Sequence, residues 1–408
     1  NSVLEVPKIN TLTNRIKFMT IIPKVRIKSI DILKGLVMVI MALDHIRDFI
    51  HFPAFFFDPT DPEQSTLPIF FTRFITHFCA PIFCFLAGAS AFMVGKRKSK
   101  KELSSFLLKR GLWLIFIEIV IINFGWFFDV YFNTIVLGVI WSLGISMILL
   151  AVLIHLRRSF ILVFSLVLIF GHNLLDTIHF DGNMFWSILH EFSIYNLFYG
   201  GEIAFVYPII PWVAVMSLGY CFGAFYDKTY DSKKRKKIFN TIGFLAIVTF
   251  VILRFTNTYG DPIPWNNYGL FSKNLISFLN PSKYPPSLDY LLMTLGAAFI
   301  FLANSEKLKG RVVDFFSTFG RVPFFYYILH LYLIHLIALI FAELSGFGWQ
   351  TMILEEWVNN SAALKGFGYS LWVVYAVWIG VIILLYPICK KFDNYKQNNK
   401  DKWWLSYL

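Results

Sequence analysis

The run Leu43-Asp44-His45-Ile46-Arg47-Asp48-Phe49-Ile50-His51 closes a long apolar segment and gathers proton-handling side chains within two helical turns. On a helix His45 and Asp48 are i,i+3 neighbours and Asp44 and Asp48 are i,i+4 neighbours, so a carboxylate can reach the imidazole from its own face. A carboxylate bonded to one ring nitrogen fixes the tautomer and steadies imidazolium, which leaves the other nitrogen to accept a proton near neutral pH. The bland alternative is an interfacial charge network that ends the helix at the lipid headgroups.

A second apolar segment opens with Thr72-Arg73 and Thr76-His77-Phe78-Cys79-Ala80-Pro81, where Arg73 and His77 are again i,i+4 neighbours. Arg73 could hold a carboxylate of the first segment or steady a developing oxyanion; the alternative is an arginine that snorkels to the interface. Near residue 330 the sequence reads Gly320-Arg321-Val322-Pro323-Phe324-Phe325-Tyr326-Tyr327-Ile328-Leu329-His330-Leu331-Tyr332-Leu333-Ile334-His335, with Tyr326 and His330 on one face. His330 is a candidate for catalysis or for neutral packing, and His335 reads as packing. Glu118 lies in the middle of an apolar segment and needs a partner or a proton. At the opposite ends of these segments Arg26, Lys34, Arg110 and Arg321 could bind a phosphorylated donor, with Gly35 and Gly111 allowing close backbone approach. Juxtamembrane cations that meet anionic lipid are the commoner explanation of such groups. There is no P-loop, dinucleotide fingerprint, nucleophile elbow or zinc spacing.

The elements that must position these groups are membrane spans. Of 408 residues 57% are hydrophobic and 15% charged, and the mean hydropathy is +0.61. Lipid is the solvent such a composition implies. The expected fold is an all-α integral membrane protein, a polytopic bundle of about ten transmembrane helices near 30–50, 69–94, 106–128, 135–155, 159–178, 203–225, 238–256, 287–303, 322–343 and 369–389. The net charge of +12 sits in alternate loops, where the positive-inside rule places it, so both termini are expected in the cytoplasm and nucleic acid is not an expected partner. Residues 1–28 are read as a cytoplasmic segment, 29–392 as the transmembrane domain and 393–408 as a cytoplasmic tail. The first span is expected to act as an uncleaved anchor, and Met19 is a candidate initiator because the sequence opens on Asn1. Cys79, Cys84, Cys221 and Cys389 have neither disulfide nor metal spacing and read as small core residues, so no metal is expected. Gly219 and Gly223 form a small-residue step read as a helix contact. The long loops 179–202 and 257–286, dense in Pro, Trp, Asn and Tyr, could cap an outward cleft.

Arg26-x-x-Ser29-x-Asp31-x-x-Lys34-Gly35 leading into an apolar helix resembles the opening R-x-x-S-x-D-x-x-R-G of the catalytic domain of heparan-alpha-glucosaminide N-acetyltransferase. Thr72-Arg73 with Ala80 to Gly88 resembles its second span. Leu43 to Asp48, Arg110 to Leu114, Tyr207 to Tyr220, Gly320 to His330 and Trp403 to Leu408 resemble motifs of its bacterial relatives, so the likeness runs over nearly the whole chain. The resemblance implies a multi-pass protein of a bacterial inner membrane. It further implies transfer of an acyl group, most readily acetyl, from cytosolic acetyl-CoA or another acyl-CoA to a glycan or other sugar-containing acceptor across the membrane. Related enzymes suggest a homodimer.

In that family the active histidine lies in the outer loop after the first span, and here residues 52–68 contain none. His45, and after it His77, are the replacement candidates. Lys34 stands where the family carries Arg, which keeps the charge and loses the bidentate fork. The expected roles are His45 as base, Asp48 or Asp44 orienting it, Arg73 stabilising charge, and Arg26, Lys34, Arg110 and Arg321 on the CoA phosphates. A proton-coupled transporter or flippase, in which the same groups relay protons, is the rival reading, and a noncatalytic membrane scaffold is the third. Convergence of the spans near residues 45, 73 and 330 would count against the scaffold.

Overall fold

The computed structural model describes residues 27–198 and 200–407, so Arg26 lies outside the described residues. The first half is built from α1 (Lys28–Ile50), α2 (Leu67–Phe74), α3 (Cys79–Gly95), α4 (Lys100–Ile117), α5 (Asn123–Phe127), α6 (Val139–Leu153), α7 (Arg158–Gly171) and α8 (Met184–Leu189). The second half contains α9 (Ile209–Phe222), α10 (Ser232–Thr256), α11 (Phe271–Leu279), α12 (Leu288–Ser305), α13 (Arg311–Arg321), α14 (Pro323–Leu344) and α15 (Leu371–Asn398). Among the described residues seven helical stretches are long and apolar enough to cross a membrane: Leu67–Gly95, Arg158–Leu175, Ile209–Tyr226, Ser232–Thr256, Leu288–Ser305, Pro323–Leu344 and Leu371–Asn398. The three other expected spans coincide with α1, with the continuous run of α4 and α5, and with α6. Charges keep α1 below the hydropathy of a span, the π-helical turn Glu118–Ile122 separates the charged α4 from the apolar stretch beyond it, and α6 is short.

Two features depart from the expected span map. The segment expected to join the eighth and ninth spans as a basic loop holds the amphipathic helix α13, whose Val313, Ser317 and Phe319 to Gly320 are buried against α1. The expected fourth and sixth spans each begin with a strand instead of a helix: β1 (Thr134–Leu137) precedes α6 and β3 (Glu202–Phe205) precedes α9. With β2 (Ser193–Asn196) they form a small sheet of order β1-β3-β2, parallel between β1 and β3 and antiparallel between β2 and β3. Backbone pairing of this kind satisfies the polar groups of non-helical chain that lines a cavity.

Glycines set the closest helix contacts. A Cβ at Gly35 of α1 would overlap the Phe316 carbonyl oxygen, and one at Gly320 of α13 would overlap the Asp31 carbonyl oxygen. Gly88 of α3 and Gly219 of α9 relate to each other in the same way, through the Met216 and Phe85 carbonyls. Gly219 therefore serves helix packing, as its spacing with Gly223 indicates. Gly219→Val forces backbones apart and should cost about 1–3 kcal/mol, read as a lower thermal midpoint in detergent. Gly380→Ala on α15, where an added Cβ meets nothing within 4 Å, should leave the midpoint in place.

The basic loops gather at one end of the bundle. Lys96 pairs with Asp227, Lys100 donates to the His155 carbonyl at 3.3 Å, and Arg235 grips Glu306 at 2.6 and 2.7 Å. The sheet and the long loops occupy the other end.

Candidate active site

One face of α1 runs along two adjoining cavities. Lys34, Met38 and Met41 face an inner cavity of about 220 Å³, whose polar lining is Lys34, Ser90 and Arg110 and whose walls include Phe106, Leu143, Met147 and Phe324. Met41, Asp44, His45 and Asp48 face a larger cavity of about 680 Å³ walled by the sheet and by side chains from the loops. Met41, Phe83, Val139 and Tyr327 line both and form a waist between them. The α-helical rise carries the chain from Lys34 to His45 in about 16 Å.

His45 stands beside that waist. Its Nδ1 lies 2.9 Å from His330 Nε2, and His330 Nδ1 lies 2.9 Å from the Tyr326 carbonyl oxygen. A carbonyl can only accept, so His330 carries its proton on Nδ1, and its Nε2 accepts from His45 Nδ1–H. This chain of two bonds fixes the His45 tautomer and leaves a lone pair on His45 Nε2. The two rings are nearly parallel at 4.9 Å, Tyr326 stacks on His330 at 4.9 Å, and Trp126 meets His45 edge-on at 4.7 Å. The imidazole pair is thereby held by packing as well as by hydrogen bonds.

The carboxylates do not orient His45 as their spacing led us to expect. Asp44 accepts from Arg47 at 2.9 Å and from Arg73, while Asp48 accepts from Arg47 at 2.6 Å. Two guanidinium groups outcompete a neutral imidazole for these oxygens because each bond is charge-assisted. Arg73 thus holds a carboxylate of α1, the first of its two anticipated roles. His51, one residue beyond α1, is pushed down to about 4 by its burial and then by the Arg47 charge, so it adds no charge to this network near neutral pH.

Of the other expected site residues, Lys34 and Arg110 line the inner cavity, with Lys34 Nζ 2.8 Å from Ser90 Oγ. His77 is buried outside both cavities, beside Phe74 and Tyr290 at ring distances of 6.0 and 5.7 Å. Arg321 also lies outside them and clamps Asp393 of α15 at 2.6 Å. Engaged with Asp393, Arg321 does not reach the inner cavity, although Pro323 and Phe324 line it. His335 places Nδ1 2.9 Å from the Gly125 carbonyl oxygen and Nε2 2.7 Å from that of Met352, and its ring N–H donates to one of the two, tethering α14 to α5 or to the following loop.

Glu118 finds its partner at the start of α6. A π-helical turn, Glu118–Ile122, interrupts the run from α4 to α5 and lets Glu118 Oε1 accept from the Gly138 N–H at 2.9 Å. Asn123, at the end of that turn, locks β1 by accepting from Val136 N–H at 2.6 Å and donating to the Val136 carbonyl at 3.0 Å. A carboxylate at a helix N-terminus meets unpaired N–H groups and the positive end of the dipole. Sequence reasoning missed Arg47, Trp126, Glu202, Lys283, Trp357 and Asn359, all of which line the larger cavity. Arg47 stands inside the Asp-His-Ile-Arg-Asp run; Trp126 lies on α5, Glu202 opens β3, and Lys283, Trp357 and Asn359 come from loops, at positions that share no spacing.

Among the described residues no group of three His, Cys, Asp or Glu side chains is placed to hold a metal ion, and all four cysteines are buried and free. The family model described as "Heparan-alpha-glucosaminide N-acetyltransferase, catalytic" matches residues 26–256, more than half of the chain. The match includes Lys34, His45, Arg73 and Arg110, whereas His330 and Arg321 lie beyond it. No curated protein matches the chain. With that match and its polytopic helical bundle, the chain belongs to the heparan-alpha-glucosaminide N-acetyltransferase catalytic family of membrane acetyltransferases.

Proposed function

We propose that the protein transfers an acetyl group from acetyl-CoA, held in the inner cavity, to a sugar-containing acceptor in the larger one. The observation that carries this reading is the waist: a donor cavity with Lys34 and Arg110 and an acceptor cavity with aromatic and amide groups adjoin one another beside His45. The thioester arm enters past the two cations, and its carbonyl reaches the waist. His45 Nε2 takes the proton of an acceptor hydroxyl or amine as that atom attacks the carbonyl, the C–S bond breaks, and the CoA thiolate leaves. His330 accepts the Nδ1–H bond throughout and steadies the imidazolium.

Trp126 and Trp357, 4.9 Å apart, offer flat apolar faces to a sugar ring, and Asn359, Asn360 and Glu202 offer hydrogen bonds to its hydroxyls. The gathering of basic loops at the donor end supports a cytoplasmic donor side and an acceptor on the outer face of a bacterial inner membrane. The rival transporter reading needs no donor. Acetyl-CoA should raise the thermal midpoint of the detergent-purified protein more than desulfo-CoA or ATP does. Lys34→Ala and Arg110→Ala should each weaken that binding about tenfold or more, as loss of a charge-assisted contact does. A folded protein that shows no response to any CoA compound would exclude the donor assignment.

A further inference from the structure

The inner cavity, about 220 Å³, falls below the roughly 300–1,000 Å³ of sites that enclose a whole drug-sized ligand. On the reading above it can house the acyl-pantetheine arm of the donor, and the nucleotide half must then lie outside, past Lys34 and Arg110. The C-terminal segment returns to α4 beside Arg110. After α15 ends at Asn398 the chain turns back through a short helical turn, Trp403–Ser406, whose Leu405 is 3% exposed and so anchors it. Trp404 packs on Tyr395 of α15 at 6.4 Å, and Lys402 Nζ donates to the Tyr395 hydroxyl at 2.6 Å.

This return brings Tyr407 to α4. Its ring stands edge-on to Trp113 at 6.1 Å and to Trp403 at 5.8 Å, and its phenol is within electrostatic reach of the Arg110 guanidinium. Arg110 and Trp113 are i,i+3 neighbours and share a helix face. The Trp113 indole N–H is buried there with no hydrogen-bond acceptor among the described residues. A cation, an unsatisfied N–H donor and three aromatic rings therefore meet where the cavity's cationic wall reaches the tail. Aromatic rings take a base by stacking, and cations and N–H groups take phosphate oxygens.

We infer that the C-terminal segment around Trp403 and Tyr407, with Trp113 of α4, forms the subsite for the adenine nucleotide half of the donor. The inference rests on the acyltransferase reading, and its test separates the two. Trp403→Ala and Tyr407→Ala, checked for an unchanged elution profile and ligand-free thermal midpoint, are titrated with acetyl-CoA and with S-acetylpantetheine, which lacks the nucleotide. Wild-type binding of acetyl-CoA establishes the donor site itself, and its absence sinks the acyltransferase reading before the subsite is at issue. With that binding in hand, each variant should bind acetyl-CoA about tenfold or more weakly, the effect of removing a base-stacking ring, and should bind S-acetylpantetheine as the wild type does. Equal weakening toward both donors would mean that the tail only props the cavity, and unchanged binding of both would mean that it takes no part; either result overturns the subsite. Tyr407→Phe keeps the ring, and it should keep most of the affinity that Tyr407→Ala loses.

Discussion

His45→Ala should lower acetyl transfer by about 10²–10⁴-fold, the usual contribution of a positioned general base, with acetyl-CoA affinity unchanged. The fall should appear in kcat, because the Nε2 lone pair meets its proton only as the acceptor attacks. His330→Ala removes the acceptor that holds the His45 tautomer, and its effect should be smaller, since His45 Nε2 remains. His330→Gln restores a hydrogen-bond acceptor and should recover part of the loss. Equal turnover in His45→Ala and wild type, measured with saturating donor and acceptor, would remove His45 from the chemistry.

Asp44→Ala should have the largest effect on stability. Asp44 joins Arg47 and Arg73 in a buried cluster in which two carboxylates balance two guanidinium groups. Removing the carboxylate leaves cationic charge uncompensated in a low-dielectric interior, which costs about 3–5 kcal/mol. The thermal midpoint in detergent should fall by several degrees. The double variant Asp44→Ala with Arg73→Met removes one charge of each sign and should be more stable than Asp44→Ala alone. A double-mutant cycle with no coupling between the two positions would show that the pair contributes nothing to the fold.

Apolar runs located the helices because lipid demands them, and the clustering of Asp44, His45 and Asp48 on α1 could be read from helical spacing. His45, Arg73 and His330 were singled out by their cost inside apolar segments, and the fold brings their helices together: Arg73 reaches Asp44 and His330 reaches His45. Which group bonds to which was not legible. The spacing of Asp48 to His45 allows a carboxylate–imidazole bond, but only the tertiary approach of Arg73 and His330 decides that arginines claim the carboxylates and a second histidine claims the imidazole. Glu118 shows the same limit, since its partner, the N-terminus of α6, depends on a π-helical turn that no residue pattern announces. The long loops 179–202 and 257–286 do reach the larger cavity, through Phe192, Ile194 and Glu202 and through Lys283 and Tyr284. The loop carrying Trp357 and Asn359 gave no comparable compositional signal.

Label followed from radiolabelled acetyl-CoA to product shows whether His45 drives acetyl transfer to a sugar. Wild-type protein and His45→Ala, each purified and reconstituted in lipid, are incubated with the labelled donor and a panel of amino-sugar and glycan acceptors. The wild type should yield an acetylated sugar and His45→Ala close to none. Label that stays on CoA with every acceptor, in protein that binds the donor, or equal product from both proteins, would contradict that role of His45.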